Sequence, residues 1–344
     1  MEKLKFNIGN KIIGGNNVLI QTMSDSKTSN VDYNIKLTND LEKIGLDMMR
    51  FSILDNDDVE AIKIIKKNTN IPIIADIHFN YKFALAVMDN NIDKVRINPG
   101  NIGSEVFLRE IINKAKNKNV ALRIGVNSGS LNKYKGKTKS PIDDYLLALD
   151  ETLNIFESEG FNHIVLSLKS TSIDYTTSLY KKAYLKYPYP LHLGLTEAGR
   201  NTQGIVKSSI CLFPLLQEGI GDTIRVSLAN HRKEEIRVCK TLLKYANRKV
   251  EPTLIVCPTC GRTKCDVKEI ADQVETFLDS INKDIKVAVM GCPVNGLGEA
   301  KDCDIGITGS GNYNEYLLFS KGKELGRFKK EECIKKLEDY IKNF

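Results

Sequence analysis

The sequence predicts an α/β protein built as a (β/α)8 TIM-type barrel over residues 1–249, followed by a small α+β domain over residues 250–344. Three observations carry this expectation. Eight short apolar runs alternate with helical patterns over the first part of the chain, and about 250 residues is the usual size of such a barrel. A doubly wound sheet would carry a Gly-x-Gly-x-x-Gly turn after its first strand, and none stands there. After Lys249 the alternation stops, and five of the eight cysteines fall between Cys257 and Cys303.

The candidate barrel strands are 18–23, 48–54, 71–77, 94–98, 121–126, 163–169, 191–196 and 223–228. Most are continuously apolar, as parallel strands covered on both faces must be. The helix following Ser140 has the clearest signals. Ser140 caps it, Pro141 suits its first position, Asp143 and Asp144 complement the dipole, and Gly160 stops it. Ile142, Tyr145, Leu146, Leu149, Leu153 and Phe156 fall on one face. In the second part we expect strands over 253–256, 286–290, 305–308 and 315–320, with helices over 267–281 and 329–342.

Composition narrows the class. Of the 344 residues 42% are hydrophobic and 27% charged, as in an ordinary globular protein with a sizeable core. No apolar run approaches the roughly 20 residues of a membrane span. The segment Met1-Glu-Lys-Leu-Lys-Phe6 lacks the apolar centre of a signal peptide, so a cytoplasmic location is expected. In that reducing setting eight cysteines are buried small hydrophobes or ligands, not a disulfide scaffold. The net charge of +7 permits an anionic partner. Without Trp and with few aromatics, no base-stacking platform and no nucleic-acid partner are expected.

Barrels place their active sites at the C-terminal ends of the strands, and these ends are polar and cationic. They supply Arg50, Asp76, His78, Arg96, Asn98, Arg123, Asn127, Lys169, His192, Thr196, Glu197, Arg225 and Ser227. One buried cation in a strand is ordinarily half of a structural ion pair. Several on separate strands repel one another unless an anion lies between them, and Asp76 and Glu197 neutralise only part. A phosphate ester is the natural guest, gripped by guanidinium forks. Glu197 is the candidate general acid; His192 is read as a hydrogen-bonded structural residue.

The second part centres on Cys257-Pro-Thr-Cys260 and Gly291-Cys292-Pro-Val-Asn-Gly-Leu-Gly-Glu299. Three thiols and a carboxylate point to a metal centre, since thiolates select zinc or iron–sulfur clusters. A structural zinc site closes with a fourth Cys or His, for which Cys265 or Cys303 would be available. The stretch instead offers a flexible loop ending in Glu299, whose oxygen would be a displaceable ligand. Cys211, Cys239, Cys265, Cys303 and Cys333 are assigned to packing.

Eight motifs occur together and in order: Ile20-Gln-Thr-Met-Ser24, Ala75-Asp-Ile-His78, Val95-Arg-Ile-Asn-Pro-Gly100, Leu122-Arg-Ile-Gly-Val-Asn127, His192-Leu-Gly-Leu-Thr-Glu-Ala198, Gly219-Ile-Gly-Asp-Thr-Ile-Arg-Val-Ser227, Cys257-Pro-Thr-Cys260 and Val294-Asn-Gly-Leu-Gly-Glu-Ala300. Together they resemble the 4-hydroxy-3-methylbut-2-en-1-yl diphosphate synthases, iron–sulfur enzymes of the non-mevalonate isoprenoid pathway, over essentially the whole chain.

The resemblance implies reductive ring opening and dehydration of 2-C-methyl-D-erythritol 2,4-cyclodiphosphate by way of a 4Fe-4S cluster. It implies Cys257, Cys260, Cys292 and Glu299 as cluster ligands. Arg50, Arg96, Arg123 and Lys169 would clamp the diphosphate with Arg225 and Ser227, and Asp76, Asn127 and Glu197 would line the reacting end. A flavodoxin or ferredoxin donor and a homodimer are implied as well. The chain departs from the family at Leu297, where proline is usual, and at Ile210-Cys-Leu-Phe213, where a small Gly-containing stretch is common. The competing expectation is a zinc-ribbon barrel protein that binds a phosphorylated ligand or nucleic acid. A radical S-adenosylmethionine enzyme would need a Cys-x-x-x-Cys-x-x-Cys run near the N-terminus, where no cysteine lies.

Overall fold

A computed structural model describes residues 2–125, 134–229, 232–312 and 315–344. The chain divides into two compact units, Met1–Lys249 and Val250–Phe344.

The first unit opens with a hairpin that the sequence reading did not anticipate. Strands β1 (Phe6–Ile8) and β2 (Lys11–Ile13) pair antiparallel around Gly9-Asn10, with Gly9 at φ +56°. Gly-Asn is a favoured two-residue turn because its backbone twist matches that of the strands. Eight parallel strands follow: β3 (Leu19–Met23), β4 (Met48–Ser52), β5 (Ile73–Asp76), β6 (Lys94–Ile97), β7 (Ala121–Ile124), β8 (Ile164–Leu166), β9 (His192–Leu193) and β10 (Thr223–Ile224). Their order is β8-β7-β6-β5-β4-β3-β10-β9, and a bridge from Leu166 to Leu191 joins the two ends into a nearly closed barrel. The predicted barrel is therefore borne out.

Eight helices among the described residues surround it: α1 (Val31–Lys43), α2 (Asn56–Lys67), α3 (Tyr81–Asp89), α4 (Glu105–Lys118), α5 (Pro141–Ser158), α6 (Ile173–Lys186), α7 (Asn201–Gln217) and α8 (Arg232–Tyr245). Outward-facing strand residues such as Phe51, Ile73, Val95 and Leu122 join the inner faces of the helices in one large core. Inward-facing Leu19, Met48, Ile74, Ala121 and Val165 form a second cluster with Phe6, Ile8 and Ile13. The hairpin is thus the apolar plug of the barrel's N-terminal end.

Ser140 caps α5 by accepting the Asp143 N–H at 3.2 Å. Asp144 does more than complement a dipole. Its buried carboxylate accepts the N–H groups of Gly136 and Thr138, each at 2.7 Å, and so ties down the preceding loop. The last three barrel ladders are shorter than expected. They stop at Leu166, Leu193 and Ile224, and the residues beyond turn into the mouth.

The second unit is a mixed five-stranded sheet in the order β11 (Thr253–Val256), β12 (Lys286–Met290), β13 (Ile305–Gly309), β14 (Tyr316–Ser320), β15 (Lys323–Phe328). The first three strands are parallel and the last two antiparallel. Helices α9 (Val267–Leu278) and α11 (Lys330–Asn343) bury Ile270, Val274, Leu337 and Ile341 against it. Strand β15 was not expected. Its sequence Lys-Glu-Leu-Gly-Arg-Phe is mostly exposed, and a charged edge strand carries little apolar signal. Among the described residues no helix is long and apolar enough to cross a membrane.

Truncating Ile8 to Ala should leave a cavity in the plug and cost roughly 2–5 kcal/mol. Urea unfolding monitored on the barrel checks this. A loss no larger than that of an exposed substitution such as Ile12→Ala would mean that the hairpin does not seal the barrel.

Candidate active site

Strand register aligns Asp76, Arg96 and Arg123, and sets Arg50 two residues lower, opposite Ile74. Met23 lies beside Arg50, Ser52 beside Asp76, Asp76 beside Arg96, and Arg96 beside Arg123. Because side chains alternate across a strand, Arg50, Asp76, Arg96 and Arg123 all enter the barrel mouth. The mouth is a cleft of about 430 Å³, lined by those four together with His78, Lys169, Glu197, Arg225 and Ser227. With Thr196, which also lines it, ten of the expected residues are brought together.

Asp76 is the acid at the centre. Arg96 Nη1 lies 3.1 Å from its Oδ1, and Arg50 Nε and His78 Nε2 each lie 3.6 Å from its Oδ2. Burial alone would raise this carboxyl, but the Arg50 guanidinium, the His78 hydrogen bond and Arg96 hold it well below the usual carboxylate range. The cations bear the opposite stress. Burial, with repulsion from Arg225 and Arg96, pushes Arg50 down to about 10, against the pull of Asp76. Burial first, and then neighbouring arginines, depress Arg123 and Lys169 strongly. Arg123 is 2% exposed, and its Nε and Nη1 have no partner. Buried donors without acceptors are rare in folded proteins and call for a guest.

Several contributors were missed. Met23 accepts from Arg50 Nη2 at 2.8 Å through its sulfur. Glu235 of α8, almost fully buried, takes Arg225 at 3.4 Å and Arg232 at 2.6 Å, and accepts from the Thr22 hydroxyl. Acids in a helix's first turn are common, so nothing in the sequence distinguished Glu235 from Glu234. Gly194 is needed for space. A β-carbon there would collide with Lys169 Nζ and lie 3.1 Å from the Arg225 carbonyl.

Asn98, expected at the mouth, is not one of the residues gathered there. It is fully buried with both amide atoms unpartnered, and borders a neighbouring cleft of about 370 Å³ beside Tyr134 and Glu151, not the mouth. Asn127 lies outside the described residues. His192 sits inside the barrel, its Nδ1 2.7 Å from the Thr223 hydroxyl. Glu197 stands exposed at the rim with φ +53°, a left-handed conformation that costs a non-glycine residue free energy and recurs at functional sites.

In the second unit Cys257 follows β11 and Cys292 follows β12, two paired parallel strands, so both thiols leave the same end of the sheet. Lys264 N–H donates to the Gly291 carbonyl at 2.8 Å and ties the two loops together. Cys257 and Cys292 are buried and Cys260 is exposed. Hydrogen bonds from the Arg262 backbone and side chain lower the Cys260 thiol and favour thiolate. The expected flexible loop before Glu299 is corrected: residues Pro293–Leu297 form a short helix, α10. Proline suits its first position, and Gly296 and Gly298 are there for close packing. A β-carbon on Gly296 would lie 2.6 Å from Thr308 Cγ2, and one on Gly298 2.7 Å from the Val294 carbonyl. Glu299 follows directly and is exposed.

Among the described residues no three His, Cys, Asp or Glu side chains stand together as a preformed metal cage. The donor set still suits a thiolate-bound centre, with three cysteines on two linked loops and one already biased to thiolate. Of the remaining thiols, Cys211, Cys239, Cys303 and Cys333 are buried in the two cores, and burial pushes Cys239 and Cys333 up to about 12. Cys265 is half-buried, its sulfur 3.5 Å from the Met290 carbonyl.

Residues 4–240 match the GcpE TIM-barrel domain, and residues 253–343 the GcpE protein C-terminal domain. The chain belongs to the GcpE family. Among curated relatives, the 4-hydroxy-3-methylbut-2-en-1-yl diphosphate synthase (flavodoxin) of Clostridium tetani is 43% identical, over 99% of each chain. That of Clostridium perfringens is 45% identical over 98% of this chain and 97% of its own. Solved structures share the fold alone. A dihydropteroate synthetase aligns with a TM-score of 0.54 at 8% identity, over 71% of this chain and all of its own. A Leptospira borgpetersenii N-acetylneuraminic acid synthetase aligns with a TM-score of 0.51 at 10% identity, over 80% of this chain and 96% of its own.

Asp76→Asn should cost roughly 3–5 kcal/mol at neutral pH, because two half-buried guanidinium groups lose the buried acid between them. The Asp76 carboxyl is held down in the folded state. Its contribution is therefore complete above the unfolded carboxylate range, about 4, and is lost progressively as pH falls below it. Urea unfolding from about pH 7 to pH 3 should show a shallower acid limb in the variant. Superimposable limbs would count against the ion-pair centre.

Proposed function

We propose that this chain carries out reductive ring opening and dehydration of 2-C-methyl-D-erythritol 2,4-cyclodiphosphate to 4-hydroxy-3-methylbut-2-enyl diphosphate. The observation that carries the reading is the unpartnered, buried Arg123 among Arg50, Arg96, Lys169 and Arg225 in one cleft. Family membership and the names of the full-length relatives support it. For each cyclic diphosphate the reaction consumes two electrons and a proton, breaks the ring C–O bond to phosphate, and releases the hydroxyl as water.

In this reading Arg123, Arg50, Arg96, Lys169 and Arg225 hold the diphosphate oxygens, with Ser227 as a neutral donor. Asp76 spaces Arg50 and Arg96 and orients His78. Glu197, at the rim, gives a proton to the departing hydroxyl. Asn127 lines the reacting end, whereas Asn98, which borders the neighbouring cleft, does not grip the guest. Cys257, Cys260, Cys292 and Glu299 would hold a 4Fe-4S cluster, which when bound supplies the electrons. Glu299, as an oxygen donor among thiolates, is the ligand most easily exchanged. A flavodoxin is the electron donor that the relatives' names support. The chain is expected to work as a homodimer in the cytoplasm.

Protein purified without air should be brown and hold iron and sulfide near about four each per chain. A colourless preparation with a single zinc would favour the zinc-ribbon alternative. Glu299→Ala should keep the colour and lose most turnover; unchanged turnover would remove Glu299 from the ligand set. Arg123→Met should weaken diphosphate binding by roughly 10–100-fold, the effect of losing a charge-assisted hydrogen bond. A change in thermal stability alone would show that Arg123 does not grip the guest.

A further inference from the structure

Lys94, the first residue of β6, is fully buried inside the barrel, below the cleft that Arg123 lines. Its amine has no carboxylate within ion-pair distance among the described residues. Its polar neighbours are Met48 Sδ at 3.4 Å and Gln21 Oε1 at 3.5 Å. The groups that face it are Gln21 from β3, Met48 and Arg50 from β4, Arg123 from β7 and His192 from β9. Asp93, just before it in sequence, is the one acid nearby, and its carboxylate is committed to Lys66 at 2.5 Å and to the Ile73 N–H at 2.7 Å. An ammonium here would be desolvated and set among guanidinium groups, with no acid of its own.

We propose that Lys94 is a positioning residue of the diphosphate site, an uncharged amine in the empty barrel that takes up a proton when the diphosphate fills the mouth. The proposal rests on the diphosphate reading given above. Arginine charges are permanent and cannot follow the charge of a guest; amines can. The four mouth arginines are opposed by Asp76 and by Glu235, which Arg232 shares. The four arginines exceed the two carboxylates, and the more so because Arg232 takes part of Glu235. The negative charges of the cyclic diphosphate cancel that surplus and with it the repulsion on the amine, and ring opening adds a further negative charge at the terminal phosphate. A proton from solvent then settles on Lys94 and leaves when the product leaves. The charged amine donates to Gln21 Oε1 and, by repulsion, favours the Arg123 guanidinium standing towards the guest. Burial, followed by repulsion from Arg123 and Arg50, already depresses Lys94 strongly in the empty state, which agrees with this geometry.

The test is titration calorimetry on anaerobic, cluster-loaded protein with 2-C-methyl-D-erythritol 2,4-cyclodiphosphate and no reductant. Two buffers of different ionisation enthalpy, at about pH 8.5 where histidine is already neutral, report the protons taken up. The wild type should take up protons, and Lys94→Met should take up about one fewer per site. Lys169→Met, which removes the other depressed amine, should retain the share belonging to Lys94. Wild-type affinity should weaken with rising pH by up to about tenfold per unit for each proton, and Lys94→Met should flatten that profile. An unchanged proton count and pH profile in Lys94→Met overturns the proposal and leaves the diphosphate reading intact. Absence of any binding heat removes both. Should Lys94→Met fail to fold, Lys94→Gln replaces it, and zero uptake by the wild type is by itself decisive against the proposal.

Discussion

Like charges gathered inside a protein repel, by about 4 kcal/mol for two unit charges roughly 4 Å apart at an intermediate dielectric. The barrel holds Arg50, Arg96, Arg123 and Arg225 around one cleft, with Lys94 and Lys169 beside them. Only a scaffold stabilised elsewhere can keep such a set in place. The outward strand faces and the helices supply that stability through one continuous apolar core, and the N-terminal hairpin closes the far end with Ile8 and Ile13. Asp76 and Glu235 lower the cost without removing it, because each is shared between arginines.

In the proposed reading, that residual cost makes the mouth selective for an anion. Arg123 keeps two donor nitrogens without acceptors, and Lys169 reaches its place only because Gly194 has no side chain. A guest with several anionic oxygens relieves both repulsion and unmet hydrogen bonding, whereas a neutral molecule of the same shape relieves neither. The short ladders of β8, β9 and β10 belong to the same arrangement. Residues released from them, Ser167, Lys169, Thr196 and Ser227, form the polar wall.

The second unit solves a smaller problem. Paired parallel strands deliver Cys257 and Cys292 to one end of the sheet, and the hydrogen bond from Lys264 to Gly291 holds the two loops together. The glycines near Glu299 look like signs of mobility in the sequence. In the structure they let α10 pack against β13, where Gly296 meets Thr308. Leu297 packs against the apolar core of this unit.

Much was legible from the order of the residues alone. Apolar runs separated by turn residues report parallel strands wherever both faces are covered, so all eight barrel strands could be read directly. Polar residues at the ends of those runs pointed to the mouth, because a barrel has a defined active end. What could not be read depends on neighbours remote in sequence. Phe6 and Ile8 look like an ordinary terminus until the plug they form is seen. Glu235 looks like a helix-start acid until Arg225 reaches it from β10. Lys94 looks like an exposed strand start until the barrel closes over it. Residue types and their spacing determined the fold and the chemical character of the site. Only the tertiary structure decided which charges are paired and which are left unpaired, because burial and pairing are properties of contacts between distant parts of the chain.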